Sequence, residues 1–189
     1  MSKTKLYIIT ANLLAVLAFF TYSVVNSEKI RSDGQIVLLE LVPTDPRSLM
    51  QGDYMRLRYR ITLQIISHSI DTATDSSLYY NPSVYKNLPE TFYSVLRVGR
   101  DSIGSFVRNQ TDAEGLNENE IVLHCKKGKE NSIRFGGEDY FFEEGSSHIF
   151  DEAAYGMLKV DRKGNCVLIG LCDSKKELID LTKTERDNQ

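Results

Sequence analysis

Residues 6–25 (LYIITANLLAVLAFFTYSVV) hold no charge. As a helix rising about 1.5 Å per residue, such a run covers about 30 Å, the thickness of a bilayer's hydrocarbon core. Lys3 and Lys5 precede it, and Tyr7 and Tyr22 stand where interfacial aromatics belong. The pattern predicts an uncleaved anchor that meets the lipid bilayer through residues 6–25. A cleaved signal peptide is the competing reading, because Val25 and Ser27 are small enough to precede a cut. Its apolar core would run only about 7–15 residues, shorter than this stretch. Across the span, Lys3 and Lys5 face Lys29 and Arg31, with Glu28 offsetting the second pair. The positive-inside rule then leans to an N-terminus in the cytoplasm and an exported remainder.

Beyond the anchor the periodicity shortens. Residues 35–42 (QIVLLELV) form an apolar run between Asp33-Gly34 and Pro43, the signature of a buried strand. Residues 43–53 are loop chemistry, with Pro43, Asp45-Pro46 and Gly52-Asp53. From Tyr54 to Leu63 alternation is strict: Met55, Leu57, Tyr59, Ile61 and Leu63 on one side, Arg56, Arg58, Arg60 and Thr62 on the other. That predicts a strand with one face on a core and one in water. Further strands are expected at 91–98, 103–107, 120–125, 132–135, 139–142, 157–160 and 166–171, with hairpin turns at 126–129 and 161–164 whose glycines take the left-handed position. Residues 110–119 are polar and read as a mobile loop.

Helices are few. Ser147 can cap a short one through Ala154, and Ser174 to Glu177 has capping-box spacing for another. The fold class is therefore mainly β: a single antiparallel β domain with one or two short helices, preceded by one N-terminal transmembrane helix. The expected divisions are an anchor over 1–27, a β domain over 28–173, and a short helix with a polar tail over 174–189.

Composition adds exclusions. The 189-residue chain is 41% hydrophobic and 26% charged, which suits one folded domain and not a disordered chain. Its formal net charge is −3, with no basic surplus for a nucleic-acid groove. His68, His124 and His148 show no ligand spacing, so neither a metal nor another cofactor is expected. Cys166 and Cys172 on one straight strand lie about 20 Å apart, too far for a disulfide unless the chain turns near Gly170. Cys125 paired with Cys166 or with Cys172 stays open for an exported domain.

Residues 45–59 (DPRSLMQGDYMRLRY) resemble the signature of the GDYXXLXY family, matched by Gly52, Asp53, Tyr54, Leu57 and Tyr59 after an Asp45-Pro46-Arg47-Ser48-Leu49 lead-in. Residues 140–145 (YFFEEG) are similar to the family's aromatic-Glu-Gly segment, and the last hairpin to its C-terminal part. The resemblance implies a bacterial membrane-anchored protein of uncharacterised function, of a kind often encoded beside multi-helix membrane proteins. With the charge lean above, the expected place is the cytoplasmic (inner) membrane, with the C-terminal domain on the extracytoplasmic side. It brings no catalytic residue.

Physically, Gly52 permits a backbone path closed to other residues, and Asp53 can fix a turn. The plain reading is a strand entry; the functional one is a docking surface formed by Asp45, Arg47, Ser48, Gly52, Asp53 and Tyr54, because loops on a rigid scaffold carry function. Arg56, Arg58 and Arg60, roughly 6.5–7 Å apart along a strand, could receive anions, or simply pair with Glu138, Asp139, Glu143 and Glu144. Glu143 and Glu144, adjacent on a strand, point to opposite faces and cannot form a catalytic carboxylate pair without a bend.

The leading functional reading is thus a non-catalytic accessory domain acting through a membrane protein partner. The first alternative is a serine hydrolase similar to signal peptidase I, since Ser48 precedes Gly52-Asp53. Leu49 stands where that family has Met, the prolines lie upstream, and no Lys occupies the Lys-Arg context of the base. A serine without a base is inert. The second alternative is a small-ligand or glycan binder using some of the 10 Tyr and 8 Phe.

Overall fold

The structure, a computed structural model, describes residues 3–42, 54–68, 88–128, 132–142 and 147–179. Helix α1 runs over Lys3–Asp33, eight residues past the apolar stretch, and is long and apolar enough to cross a membrane. The extra turns hold Glu28, Lys29 and Arg31, ordinary helix formers. At its end Gly34 N–H donates to Ile30 O at 2.9 Å. The Lys159 ammonium donates to the carbonyls of Arg31 (2.5 Å) and Ser32 (3.1 Å), a lysine capping orphan carbonyls of the last turn.

The next residue starts strand β1 (Gln35–Glu40), which pairs with β8 (Tyr155–Val160), itself paired with β9 (Cys166–Cys172). A second sheet has the order β4-β3-β5-β6, from β3 (Thr91–Val98), β4 (Gly104–Gln110), β5 (Glu120–Lys127) and β6 (Ile133–Arg134). A two-stranded ribbon joins β2 (Tyr54–Arg56) to β7 (Asp139–Phe141). Every strand pairing among these is antiparallel. The fold is the expected mainly β domain behind an apolar helix. Its core gathers Val37, Leu39, Leu158 and Leu171 from the first sheet, Phe92, Leu96 and Leu123 from the second, Met55 from the ribbon, and Leu57 and Tyr59 from just beyond it.

Several elements differ from the sequence reading. The strand expected over 54–63 stops at Arg56, and Arg60–His68 is helix α2. Ile61 and Ile65, one helical turn apart, are buried, whereas Leu63 is 39% exposed. The helix expected from Ser147 is a single 3₁₀ turn, Ser147–Phe150. No helix begins at Ser174: Asp173 closes a turn by accepting from the N–H groups of Lys175 and Glu177 (both 2.9 Å), and Leu178 bridges back to Cys172. The 110–119 segment is laced in place. The Gln110 amide donates to the carbonyls of Asp112 (2.7 Å) and Glu114 (2.9 Å), and Arg108 reaches Gly115 O at 3.1 Å. In the 161–164 turn Gly164 has φ +84°, as expected; Gly128 is not among the left-handed residues.

Candidate functional site

The described part of the signature is built into the core. Met55, Leu57 and Tyr59 are all buried, with Tyr59 at 1% exposure. The Tyr59 ring meets Phe135 at a centroid distance of 5.1 Å, and its hydroxyl donates to Gly137 O at 2.5 Å. Burial raises its phenol well above the usual value, which keeps the hydroxyl a donor. On the other side lies Gly156, where a Cβ would stand 2.7 Å from Tyr59 Oη. The last tyrosine of the signature therefore fills a slot that a glycine leaves open.

The Phe135–Glu138 turn completes this slot and carries no warning in the sequence. The buried Glu138 carboxylate accepts from Phe135 N–H (2.5 Å) and Gly136 N–H (3.1 Å), while Glu138 O accepts from Leu57 N–H at 2.7 Å. Gly136 takes φ +101°, a conformation that favours glycine.

The expected arginine row is broken into separate contacts. Arg56 faces Asp139, its register partner, at 3.6 Å, one of the pairings expected from the sequence. Arg58 is exposed beyond the strand, and its carbonyl accepts from Val42 N–H at 2.8 Å. Arg60 opens α2 and pairs with Glu40 at 2.8 Å, which offsets an unfavourable cation at a helix N-terminus. With Arg58 off the strand and Arg60 on a helix, the three cations do not form a strand-spaced ladder. Tyr54 pairs with Phe141 through the backbone. Asp45, Arg47, Ser48, Gly52, Asp53, Glu143 and Glu144 lie outside the described residues.

The cysteines are free thiols. Cys125 Sγ lies 3.5 Å from Ser94 Oγ, and Cys166 Sγ lies 3.2 Å from Phe135 O. Burial pushes the Cys125 thiol up to about 12 and that of Cys166 up as well, the opposite of an activated nucleophile. His124 stacks on Tyr93 across the β3–β5 pair, with ring centroids 5.0 Å apart. Among the described residues no group of three His, Cys, Asp or Glu is placed to hold a metal.

Glu120 is a buried carboxylate that sequence reasoning did not single out. Its Oε2 accepts from Asn117 N–H (3.1 Å), Asn117 Nδ2 (3.2 Å) and Arg108 (3.0 Å), and Oε1 lies 3.6 Å from Arg97. The Asn117 backbone N–H, then its side chain and Arg108, hold the acid down to about 2 against the cost of burial. A depressed folded pKa contributes stability above the unfolded value of about 4.3, and the contribution is lost as pH falls toward 2. Glu120→Gln should therefore flatten the fall of melting temperature between about pH 4.5 and pH 2. An unchanged acid limb in differential scanning fluorimetry would show that Glu120 is not responsible.

These features define a class: an antiparallel β domain joined by one glycine to a long apolar helix, with a tyrosine-ended signature locked into its core. Residues 16–171 match the model described as GDYXXLXY protein, and the chain belongs to that family. No curated protein and no solved structure matches it.

Proposed function

We propose that this chain is a single-pass accessory protein of the bacterial cytoplasmic membrane, with its β domain on the extracytoplasmic side and a membrane protein as its partner. The observation that carries this reading is the use made of the signature. Leu57 and Tyr59 are committed to packing, and the chain on either side of residues 43–53 is tied together by the Leu41–Tyr59 bridge and the Val42 N–H to Arg58 O bond. A segment rich in turn residues, whose flanks a packed core ties together, suits a recognition role. Arg47 supplies it with a planar donor set suited to carboxylates.

The experiment compares two neighbours in that loop. Arg47→Ala should weaken retention of the partner in detergent co-purification by about 1–3 kcal/mol, the worth of a charge-assisted hydrogen bond. Ser48→Ala should leave retention intact when both variants are compared at equal folded abundance. Loss of the cellular phenotype in Ser48→Ala, with fold and retention preserved, would replace the accessory reading with a serine hydrolase.

A further inference from the structure

We propose that the cleft between α1 and the β8–β9 hairpin binds the phosphate headgroup of an anionic phospholipid. The cleft has a volume of about 950 Å³. One wall is the outer part of α1, with Tyr22, Asn26 and Lys29, and the opposite wall is the hairpin tip with Arg162 and Lys163. The inference rests on α1 as a membrane span.

Three observations converge on this ligand. The first is depth. The charge-free stretch ends at residue 25, and Tyr22 to Lys29 covers about 10 Å of helix, so the cleft starts where hydrocarbon gives way to headgroups. Tyr22, 73% exposed, continues the apolar surface of the helix up to the cleft, the side from which a lipid's glycerol and acyl chains would arrive.

The second is charge. Lys29, Arg162 and Lys163 have no carboxylate partner among the described residues, and Arg162 and Lys163 are exposed. The lining also holds three acids, of which Glu120 is offset by two arginines, so the three cations stand against the two carboxylates of Asp33 and Asp161. Asp161 accepts from the N–H groups of Lys163 (2.8 Å) and Asn165 (2.9 Å) and from the Asn165 amide (2.9 Å), and Glu120 faces Arg97 and Arg108. Asp33 accepts from the Ser32 hydroxyl at 2.8 Å. Three cations on two walls of one cleft, in excess of its free carboxylates, suit one phosphate bearing two acyl chains.

The third is rigidity. A hairpin on a flexible tether would not keep its cations level with the bilayer. Here a Cβ on Gly34 would stand 3.0 Å from Lys159 Cβ, 3.1 Å from Val160 N and closer still to Ile30 O, too close for any larger residue, and Lys159 clamps the last helical turn. The hairpin is pinned to the second sheet by the His124 N–H to Gly164 O bond at 2.8 Å. Helix and hairpin therefore hold one spacing, which preorganises the cleft.

The test uses the full chain in nanodiscs of phosphatidylcholine containing phosphatidylglycerol, with the lipids retained on the released protein counted by native mass spectrometry. Phosphatidylglycerol should be enriched over the bulk ratio by at least about fivefold, the contribution expected per basic residue at an anionic surface. The double variant Arg162→Ser, Lys163→Ser, which keeps Asp161 and Gly164, should lose that enrichment with an unchanged melting temperature. Raised salt should reduce it, and millimolar inorganic phosphate should not displace the lipid. Equal enrichment in the double variant, no enrichment in the parent, or displacement by free phosphate would each overturn the lipid site while leaving the anchor intact. A chain that alkaline carbonate strips from membranes would overturn the anchor and the lipid site together.

Discussion

Tyr59→Ala should destabilise the domain by about 3–5 kcal/mol, the usual cost of deleting a buried aromatic ring. The ring touches elements far apart in sequence: Phe135, Gly137 O and the backbone of β8 at Gly156. None can close the void without dragging a sheet with it. Tyr59→Phe separates packing from hydrogen bonding. It keeps the ring but removes the donor to Gly137 O, and should cost about 1–3 kcal/mol. The phenol also sets a pH dependence. Its folded pKa is raised by burial, so its contribution is complete below the unfolded value of about 10 and declines as pH rises above it. Tyr59→Phe should show a shallower loss of stability above pH 10 than the parent. From the opposite side, Gly156→Ala should cost about 1–3 kcal/mol, because the added methyl meets a ring already backed by Phe135. A melting temperature unchanged by Tyr59→Ala would show that the signature tyrosine is not a core determinant.

The elements legible in the sequence are those in which one pattern admits one structure. A charge-free stretch of twenty residues has few uses besides a long helix, and β3 falls on the expected residues because β-branched and aromatic side chains dominate Thr91–Val98. Residues 54–63 failed for a physical reason. Alternation through Ile61 and Leu63 continues the strand pattern, yet Ile61 and Ile65 are also one helical turn apart, and both fit the core. The short ribbon decides: β7 offers only the three residues Asp139–Phe141 as strand partners, and after the isolated contacts of Leu57, Arg58 and Tyr59 the chain turns into a helix at Arg60. The core-facing role of Leu57 and Tyr59 follows from the alternation alone. The neighbours of Tyr59 do not, since Gly137 and Gly156 are brought to it by tertiary packing. Glu120 and Glu138 were equally hidden, because an acidic residue beside polar neighbours reads as solvated until its backbone donors are seen. The turn at Asp161–Gly164 shows the contrary case, in which an Asp accepting from its own hairpin and a glycine at positive φ make local chemistry sufficient.

Glu138→Ala should be the second most damaging substitution, at about 3 kcal/mol. Its carboxylate holds Phe135 N–H and Gly136 N–H in a turn where water does not readily replace it, and bonds to a charged acceptor are each worth about 1.5–3 kcal/mol. Arg134 stands 3.9 Å from the same carboxylate and would be left with Asp139 alone, at 3.4 Å. Loosening this turn frees Phe135, which backs Tyr59, and disturbs the Glu138 O to Leu57 N–H bond that sets β2 on its ribbon. At about 2–4 °C per kcal/mol for a chain of this size, the melting temperature should fall by about 6–12 °C. Glu138→Gln keeps the Oε1 that accepts from both N–H groups and gives up only the charge and the longer Gly136 N–H contact to Oε2 (3.2 Å), so it should lose less than half as much. The double variant with Tyr59→Phe should be less unstable than the sum of its parts, because both residues act on the same four-residue turn. Strict additivity would mean that the turn and the tyrosine stabilise the domain independently, and that the signature ends in an ordinary core residue instead of a lock.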